Sequence, residues 1–331
     1  WRARVAGEIA GDDVAGVSSC SQFRPRKKMG DEEERCSVAA VHALLDAAGL
    51  DPRYRSAADC VAASSVPILS DLALLQKDCV LCNRPGLLRS ALADWPPVSK
   101  WCDDAYLRQA GADASVTARR VHTSSGSCVE TGAYQTEELS WVALIDSLAE
   151  AQLGCTTSAP YYAAQLRLRT ALPALYADTR PEPPCVCALG PIWRNAPSAY
   201  FGCGSRTPLH FDLLENIFCV VAGVKHVVLW HPARSDLLYP GADGDASRSL
   251  ADVFAPDLLR FPHLARAEAD ALHVDVRAGD ALYIPLGWWH AVSTPAQERS
   301  ISISYWAQQP EGKEHMPAYA ADGAMDHGEP S

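Results

Sequence analysis

After Leu189 the chain becomes a series of short β-rich runs, SAYFGCG, NIFCVVAG, KHVVLW, ALHVDVRAGDALYIP and SISISYW, separated by Gly, Pro and Asp turns. Runs of this length that are rich in Val, Ile, Tyr and Phe read as strands. Several antiparallel strands at short intervals, following helical segments, indicate a mainly β fold with some α: a barrel or double-sheet jelly roll with helical decoration. The sequence has no internal repeat.

The first part of the chain has a different texture. Residues 1–65 read as a small helical region, in which SVAAVHALLDAAGL, Ser37 to Leu50, has apolar residues at helical spacing and Gly49 near its end. The preceding FRPRKKMGDEEER is expected to be a charged loop in solvent. From Val66, VPIL predicts a strand that leads into helices across LADWPPVSKWCDDAYLRQAG. Residues 130–150 predict a loop and then an amphipathic helix, with Thr136 as N-cap and Glu137 and Glu138 in its first turn. The expected division is therefore a helical region over 1–65, a catalytic or binding domain over 66–308, and a flexible tail over 309–331.

Chemistry enters with TPLHFDLLENIFCVVAGVKHVVLW, Thr207 to Trp230. His210 and Asp212 are two apart, and in an extended strand such residues point to one face. Two converging ligands invite a metal and a third ligand. His290, in AGDALYIPLGWWHAVST, follows a predicted strand over Asp280 to Pro285 and a short turn. Two histidines and one carboxylate suit the facial triad of Fe(II), which leaves three coordination positions open. The absence of a cysteine ligand argues against structural zinc. Lys225 lies in an apolar run where an unpaired ammonium is costly. Either a carboxylate-bearing co-substrate neutralises it, or its head sits in water beside a hairpin turn. Trp288 and Trp289 either wall the site or pack in the core.

Composition limits what such a site serves. A chain of 331 residues with 48% hydrophobic content supports one large domain, or a catalytic domain with an extra module. A net charge of −11 disfavours nucleic acid as a partner. No run approaches the roughly 20 apolar residues that span a bilayer. The start, WRARVAGEIAG, opens on Trp1 and lacks a signal-peptide pattern, so it gives no dependable address. Twelve cysteines in no regular framework read as buried thiols in a cytoplasmic or nuclear protein. Cys79 and Cys82 have no second pair at zinc-knuckle spacing.

Taken together, these stretches resemble the JmjC-domain Fe(II)- and 2-oxoglutarate-dependent oxygenases, in particular the small JmjC-only protein hydroxylases of the arginyl and asparaginyl types. The likeness runs from Val66 to Trp306. It rests on VPIL, RPGLL with DWPPVSKW, YYAAQLRLRTALPAL, TPLHFDLLENIFCVVAGVKHVVLWHP, DLLYP, APDLLRFPHLARA, AGDALYIPLGWWH and SISISYW. The resemblance implies a double-stranded β-helix core of the cupin type. It implies that His210, Asp212 and His290 bind iron and that Lys225, Thr207 and Tyr162 hold the distal carboxylate of 2-oxoglutarate. Asn216 and Ser304 would line the co-substrate pocket. Tyr200 stands where the arginyl-hydroxylase group commonly has Trp, and the loop between Arg119 and Glu138 is unlike that of its relatives.

The implied reaction consumes 2-oxoglutarate and dioxygen, yields succinate and carbon dioxide, and hydroxylates a protein side chain. Acidic loops over Glu130 to Glu138 and Asp243 to Asp252 would suit a basic peptide. Three other readings stand beside it: a histone methyl-lysine demethylase, a tRNA wybutosine hydroxylase-like enzyme, and a cupin barrel serving as a non-catalytic scaffold. The target residue and the oligomeric state are not legible in the sequence.

Overall fold

A computed structural model describes residues 31–50, 65–120, 136–154, 160–187, 189, 193–194, 196–241 and 246–308. Its strands are β1 (Ile68–Leu69), β2 (Gly86–Leu88), β3 (Ser115–Arg120), β4 (Thr136–Ser140), β5 (Tyr161–Arg167), β6 (Trp193–Arg194) and β7 (Ser198–Cys203). They continue as β8 (Arg206–His210), β9 (Glu215–Ala222), β10 (Val224–Trp230), β11 (Leu272–Arg277), β12 (Ala281–Ile284), β13 (Trp289–Ser293) and β14 (Arg299–Gln308). Every β-rich run after Leu189 forms at least one strand. ALHVDVRAGDALYIP forms two, because the Ala278–Asp280 turn divides it.

Two sheets face each other as in a jelly roll. The larger has the order β1-β2-β12-β9-β14-β7-β5-β3-β4, with β6 also on β14, and the smaller has the order β11-β10-β13-β8. Between β9 and β10 the chain passes from one sheet to the other through Gly223 alone. That residue has φ +68, and a Cβ on it would lie 2.2 Å from the Arg299 carbonyl oxygen, so only glycine makes this crossing.

Strand alternation assigns each face. On β14, Ile301, Ile303 and Tyr305 enter an outer core with Trp101, Trp141, Leu144 and Leu148 from the covering helices. The intervening Ser300, Ser302 and Ser304 point the other way, into the barrel. An inner apolar cluster of Phe218, Val220, Val227, Leu229, Leu282 and Val292 holds the two sheets together. A third cluster packs Val41 and Leu45 against Leu209, Phe211, Trp230 and Trp289 on the far side of the smaller sheet.

The helix near the N-terminus runs Asp31–Ala47. It therefore begins six residues before the expected Ser37 and takes DEEER from the expected loop. Its end follows the sequence: Gly49 adopts φ +80 and donates its N–H to the Asp46 carbonyl at 3.0 Å. The remainder of 1–30, residues 51–64 and the tail from 309 lie outside the described residues.

The helix expected to be capped by Thr136 starts later. Thr136, Glu137 and Glu138 belong to β4, paired with Arg119, Ala118 and Thr117 of β3. The cap is Ser140, whose Oγ accepts from Ala143 N–H at 3.2 Å, and the helix runs Trp141–Gln152. Pairing to β3 satisfies the backbone of TEELS, so the capping signal moves to the next Ser.

The WPPVSKW segment forms a structural knot. Asp178 accepts from Lys100 Nζ at 2.6 Å, from Trp101 Nε1 at 3.0 Å and from the Tyr106 hydroxyl, while Trp95 Nε1 donates to the Pro181 carbonyl at 3.2 Å. Trp288 and Trp289 are core residues with satisfied N–H groups, bonded to the Asn83 carbonyl and to Ser235 Oγ, each at 2.8 Å. Of the thiols, Cys79, Cys185, Cys203 and Cys219 are buried as expected, whereas Cys82, Cys102 and Cys187 are exposed. Among the described residues no helix is long and apolar enough to cross a membrane.

Leu45 is fully buried and lies against Gly287, in the turn before His290, where a Cβ would meet Leu45 Cδ2 at 2.8 Å. The helix thus shares a core with the residues that flank the candidate ligands. Leu45→Ala is expected to destabilise the whole barrel by about 2–5 kcal/mol, read as a lowered urea midpoint of one cooperative transition. A separate early transition, with the barrel midpoint unchanged, would instead mark the helix as an independent module.

Candidate active site

The register of the smaller sheet sets His210, the last residue of β8, directly against His290 of β13. Their ring centroids are 4.3 Å apart. Asp212 does not share the strand with His210 as the two-residue spacing predicts, because the ladder ends at His210. Phe211 turns into the cluster on the far side of the smaller sheet, with its N–H bonded to the Ser247 carbonyl at 2.9 Å. Asp212 is placed by the following turn, where its own carbonyl accepts from Gly287 N–H at 2.9 Å.

The three side chains nevertheless converge. Asp212 Oδ1 lies 3.8 Å from His210 Nε2, and Oδ2 lies 3.9 Å from His290 Nε2. Each residue offers a ligand atom within 4.8 Å of the others, and among the described residues this is the one such cluster of His, Cys, Asp or Glu. Both rings are oriented by backbone carbonyls: Pro208 O lies 2.8 Å from His210 Nδ1, and Trp288 O lies 2.9 Å from His290 Nδ1. A carbonyl only accepts, so Nδ1 carries the proton and Nε2 keeps its lone pair. Burial first, and then the neighbouring His210, push the His290 pKa down to about 4, which keeps that ring neutral at ordinary pH. Trp306 Nε1 donates to Asp212 Oδ2 at 3.0 Å and orients the carboxylate.

Deeper in the barrel, Lys225 is 2% exposed. Its head does not reach water, so the solvated alternative is excluded by the structure. Among the described residues no carboxylate lies within ion-pairing distance of it. Its Nζ stands 5.7 Å from the centroid of the Tyr162 ring, and the Tyr162 hydroxyl is 3.3 Å from Thr207 Oγ1. Three expected co-substrate residues thus gather in one place. Asn216 on β9 and Ser304 on β14 are buried on the inner face of the larger sheet, offset by two residues in the register, where Asn216 pairs with Trp306 and Ser304 with Phe218. The Ser304 hydroxyl is engaged by the Tyr200 phenol, which also bonds Gln165 and whose pKa burial pushes well above its ordinary value.

Two residues went unrecognised in the sequence. Ser302 Oγ, like Asn216 Oδ1, is buried without a hydrogen-bond partner. Trp306 holds the candidate ligand Asp212. Both share the inward phase of SISISYW with Ser304, and that alternation was the available signal. These groups fit the implied cofactors. Two imidazoles and a carboxylate suit Fe(II). The desolvated ammonium and unpartnered hydroxyl suit an acid. An open cleft of about 500 Å³ elsewhere, lined by His226, Asp275, Arg277 and Glu298, contains none of these residues.

The barrel and its two-histidine, one-carboxylate cluster are those of a cupin-type domain with a candidate metal site. The family model described as the cupin-like domain matches residues 72–312, so the chain belongs to that family, and within it to the JmjC oxygenases. It is 29% identical over 272 residues to Jumonji C domain-containing protein 5 of Drosophila melanogaster, covering 78% of this chain and 62% of that protein. It is 28% identical over 255 residues to the human bifunctional peptidase and (3S)-lysyl hydroxylase JMJD7, covering 70% and 79% respectively. It is 28% identical over 279 residues to lysine-specific demethylase 8 of Xenopus tropicalis, covering 78% and 58%. The chain therefore spans less than two thirds of the fly and frog proteins.

Burial holds the Lys225 ammonium at about 7 instead of 10.5. That displacement corresponds to about 5 kcal/mol of unfavourable desolvation. The sign fixes a pH dependence: below about 7 the lysine is already charged, and above it an anion must bring a proton in. A dicarboxylate that pairs with Lys225 is expected to lose affinity as pH rises from about 7 to 9, by up to about tenfold per unit. Calorimetry of 2-oxoglutarate binding in buffers of different ionisation enthalpy should show about one proton taken up at the high end and almost none near pH 6. Lys225→Met should abolish that uptake.

Proposed function

We propose that this chain is an Fe(II)- and 2-oxoglutarate-dependent oxygenase that hydroxylates a side chain of a protein substrate. The observation that carries the reading is the pairing of two features in one barrel. A two-histidine, one-aspartate cluster stands with Asp212 at 22% side-chain exposure, and below it lies a buried ammonium with no carboxylate partner among the described residues. In this reading His210, Asp212 and His290 hold the iron, and the catalytic domain covers 66–308, with the 31–47 helix completing its core.

Bound Fe(II) with 2-oxoglutarate supplies the activation of dioxygen and the oxidising power for a C–H bond. The chain's own residues do the rest. The Pro208 and Trp288 carbonyls hold the histidine tautomers, and the Trp306 N–H holds Asp212. Lys225, Thr207 and Tyr162 receive the distal carboxylate of the co-substrate, while Asn216, Ser302 and Ser304 line its length. The apolar inner cluster of Phe218, Val220, Leu229 and Val292 excludes water from the sealed part of the barrel.

A protein substrate is supported by relatives named as a lysyl hydroxylase and as lysine demethylases. Demethylation of methyl-lysine begins with the same hydroxylation and ends with loss of formaldehyde, so both outcomes belong in one test. The net charge of −11 favours a basic peptide over nucleic acid. A nuclear or cytoplasmic setting agrees with these substrates.

Succinate formation from 2-oxoglutarate with Fe(II) and ascorbate is the deciding measurement. Turnover by the wild type is expected to fall at least about 100-fold in Asp212→Ala, because loss of even an outer group around a metal typically costs about 10- to 100-fold. Peptides bearing arginine, lysine or methyl-lysine should stimulate it, with a mass gain of one oxygen for hydroxylation or loss of a methyl group for demethylation. Stimulation by tRNA alone would favour the nucleic-acid reading. A folded wild type that neither turns over nor binds 2-oxoglutarate would leave a scaffold.

A further inference from the structure

The two candidate histidines are aligned by strand pairing, but Asp212 lies beyond the end of β8 and has no such support. Its position relative to His290 depends on how the turn after β8 is joined to the turn that precedes β13. Two hydrogen bonds make that joint. Gly287 N–H donates to the Asp212 carbonyl at 2.9 Å, and Leu286 N–H donates to Glu215 Oε2 at 3.1 Å. The same Glu215 oxygen accepts from the Tyr283 hydroxyl at 2.6 Å, which anchors it to β12. Edge-on packing of Phe211 and Trp289, at 4.8 Å between centroids, closes the joint on its apolar side.

Glu215 is an expensive residue to place there. It opens β9 half-buried, and desolvation raises its pKa despite the bonds from Tyr283 and Leu286. Among the described residues no lysine, arginine or histidine forms an ion pair with it. An apolar side chain would avoid the desolvation penalty. What an apolar side chain lacks is a fixed acceptor, three residues from Asp212, that reaches the backbone three residues before β13. Groups that orient metal ligands act in this way through hydrogen bonds to their supports.

We infer that Glu215 is a positioning residue of the metal centre: its carboxylate ties the 285–288 turn to the 212–215 turn and so sets the placement of Asp212 against His290. The inference rests on reading His210, Asp212 and His290 as a metal site, and its test separates the two.

The test is Co(II) binding to the full chain, followed by calorimetry and by the visible absorption of the bound ion, with thermal unfolding of every variant. Glu215→Leu is expected to weaken Co(II) binding by about 10- to 100-fold and to change the band pattern. Glu215→Gln, which keeps an acceptor oxygen, should return to within about threefold of the wild type. Tyr283→Phe removes one donor and no charge, and should fall between them; it carries the comparison if Glu215→Leu does not fold. Wild-type affinity and spectrum in a folded Glu215→Leu, or in Tyr283→Phe where that variant stands in, overturn the inference. Glu215→Gln as weak as Glu215→Leu also overturns it, because charge and not the hydrogen-bonded tie would then be responsible. No Co(II) binding by the wild type removes the metal-site reading, and the inference with it.

Discussion

In the β8–β13 ladder His210 faces His290 across one register position, and the remaining geometry of the cluster is arranged around that pair. A slip by one residue would turn every side chain of β8 to the opposite face. His210 would then enter the cluster beyond the smaller sheet now filled by Leu209, and Thr207 would leave the Tyr162 hydroxyl it meets at 3.3 Å. The register is held from outside the barrel. Leu209 and Phe211 pack on Trp289 and on the 31–47 helix, and β8 is bordered by the Ser247–Ser249 segment through Phe211 N–H to Ser247 O and Ser249 N–H to Leu209 O, both at 2.9 Å. The apolar residues next to the ligands therefore fix the ligands.

The interior between the sheets is divided by chemistry. Phe218, Val220, Val227, Leu229 and Val292 make one part dry, and Tyr162, Thr207, Asn216, Lys225, Ser302 and Ser304 make the other polar. Both kinds of residue come from the same strands at alternate or successive inward positions. On β10 the inward residues are Lys225, Val227 and Leu229, so one strand carries the buried charge and two of the residues that deny it water. The helices pack on the outer face of the larger sheet, and Asp178 ties them to the WPPVSKW segment.

Much of this was legible in the sequence because it depends on period and residue type. Alternating β-formers gave the two-sheet fold, and HFD with a later His gave the cluster. What was not legible depends on tertiary pairing. TEELS has the composition of a helix start, yet an available partner in β3 makes it a strand. Lys225 beside Gly223 has the local appearance of a solvated turn residue, and only the closing of the smaller sheet over it shows that its head is enclosed. Trp306 looks like the end of a core strand. Its bond to Asp212, 94 positions away, requires the sheets to be assembled first. Glu215 shows the same limit, since nothing in LLEN marks a carboxylate that reaches the turn before His290.

The energetics of the chamber bear on whether it is a ligand site or an inert interior. Enclosing Lys225 costs about 5 kcal/mol relative to leaving it in water, from its displacement to about 7. The unpartnered Ser302 Oγ and Asn216 Oδ1 each add about 1–3 kcal/mol. Typical domains are stable by about 5–15 kcal/mol in total. A barrel that served only as a scaffold would sacrifice a large part of that margin for buried polar groups that apolar side chains would not incur. An acid entering the chamber reverses the balance, because it supplies a counter-charge to the ammonium and an acceptor to the hydroxyl in a medium where both interactions are strong. The same groups that weaken the empty barrel are those that would bind the co-substrate, and their cost without a ligand is the physical reason to regard the chamber as built for one.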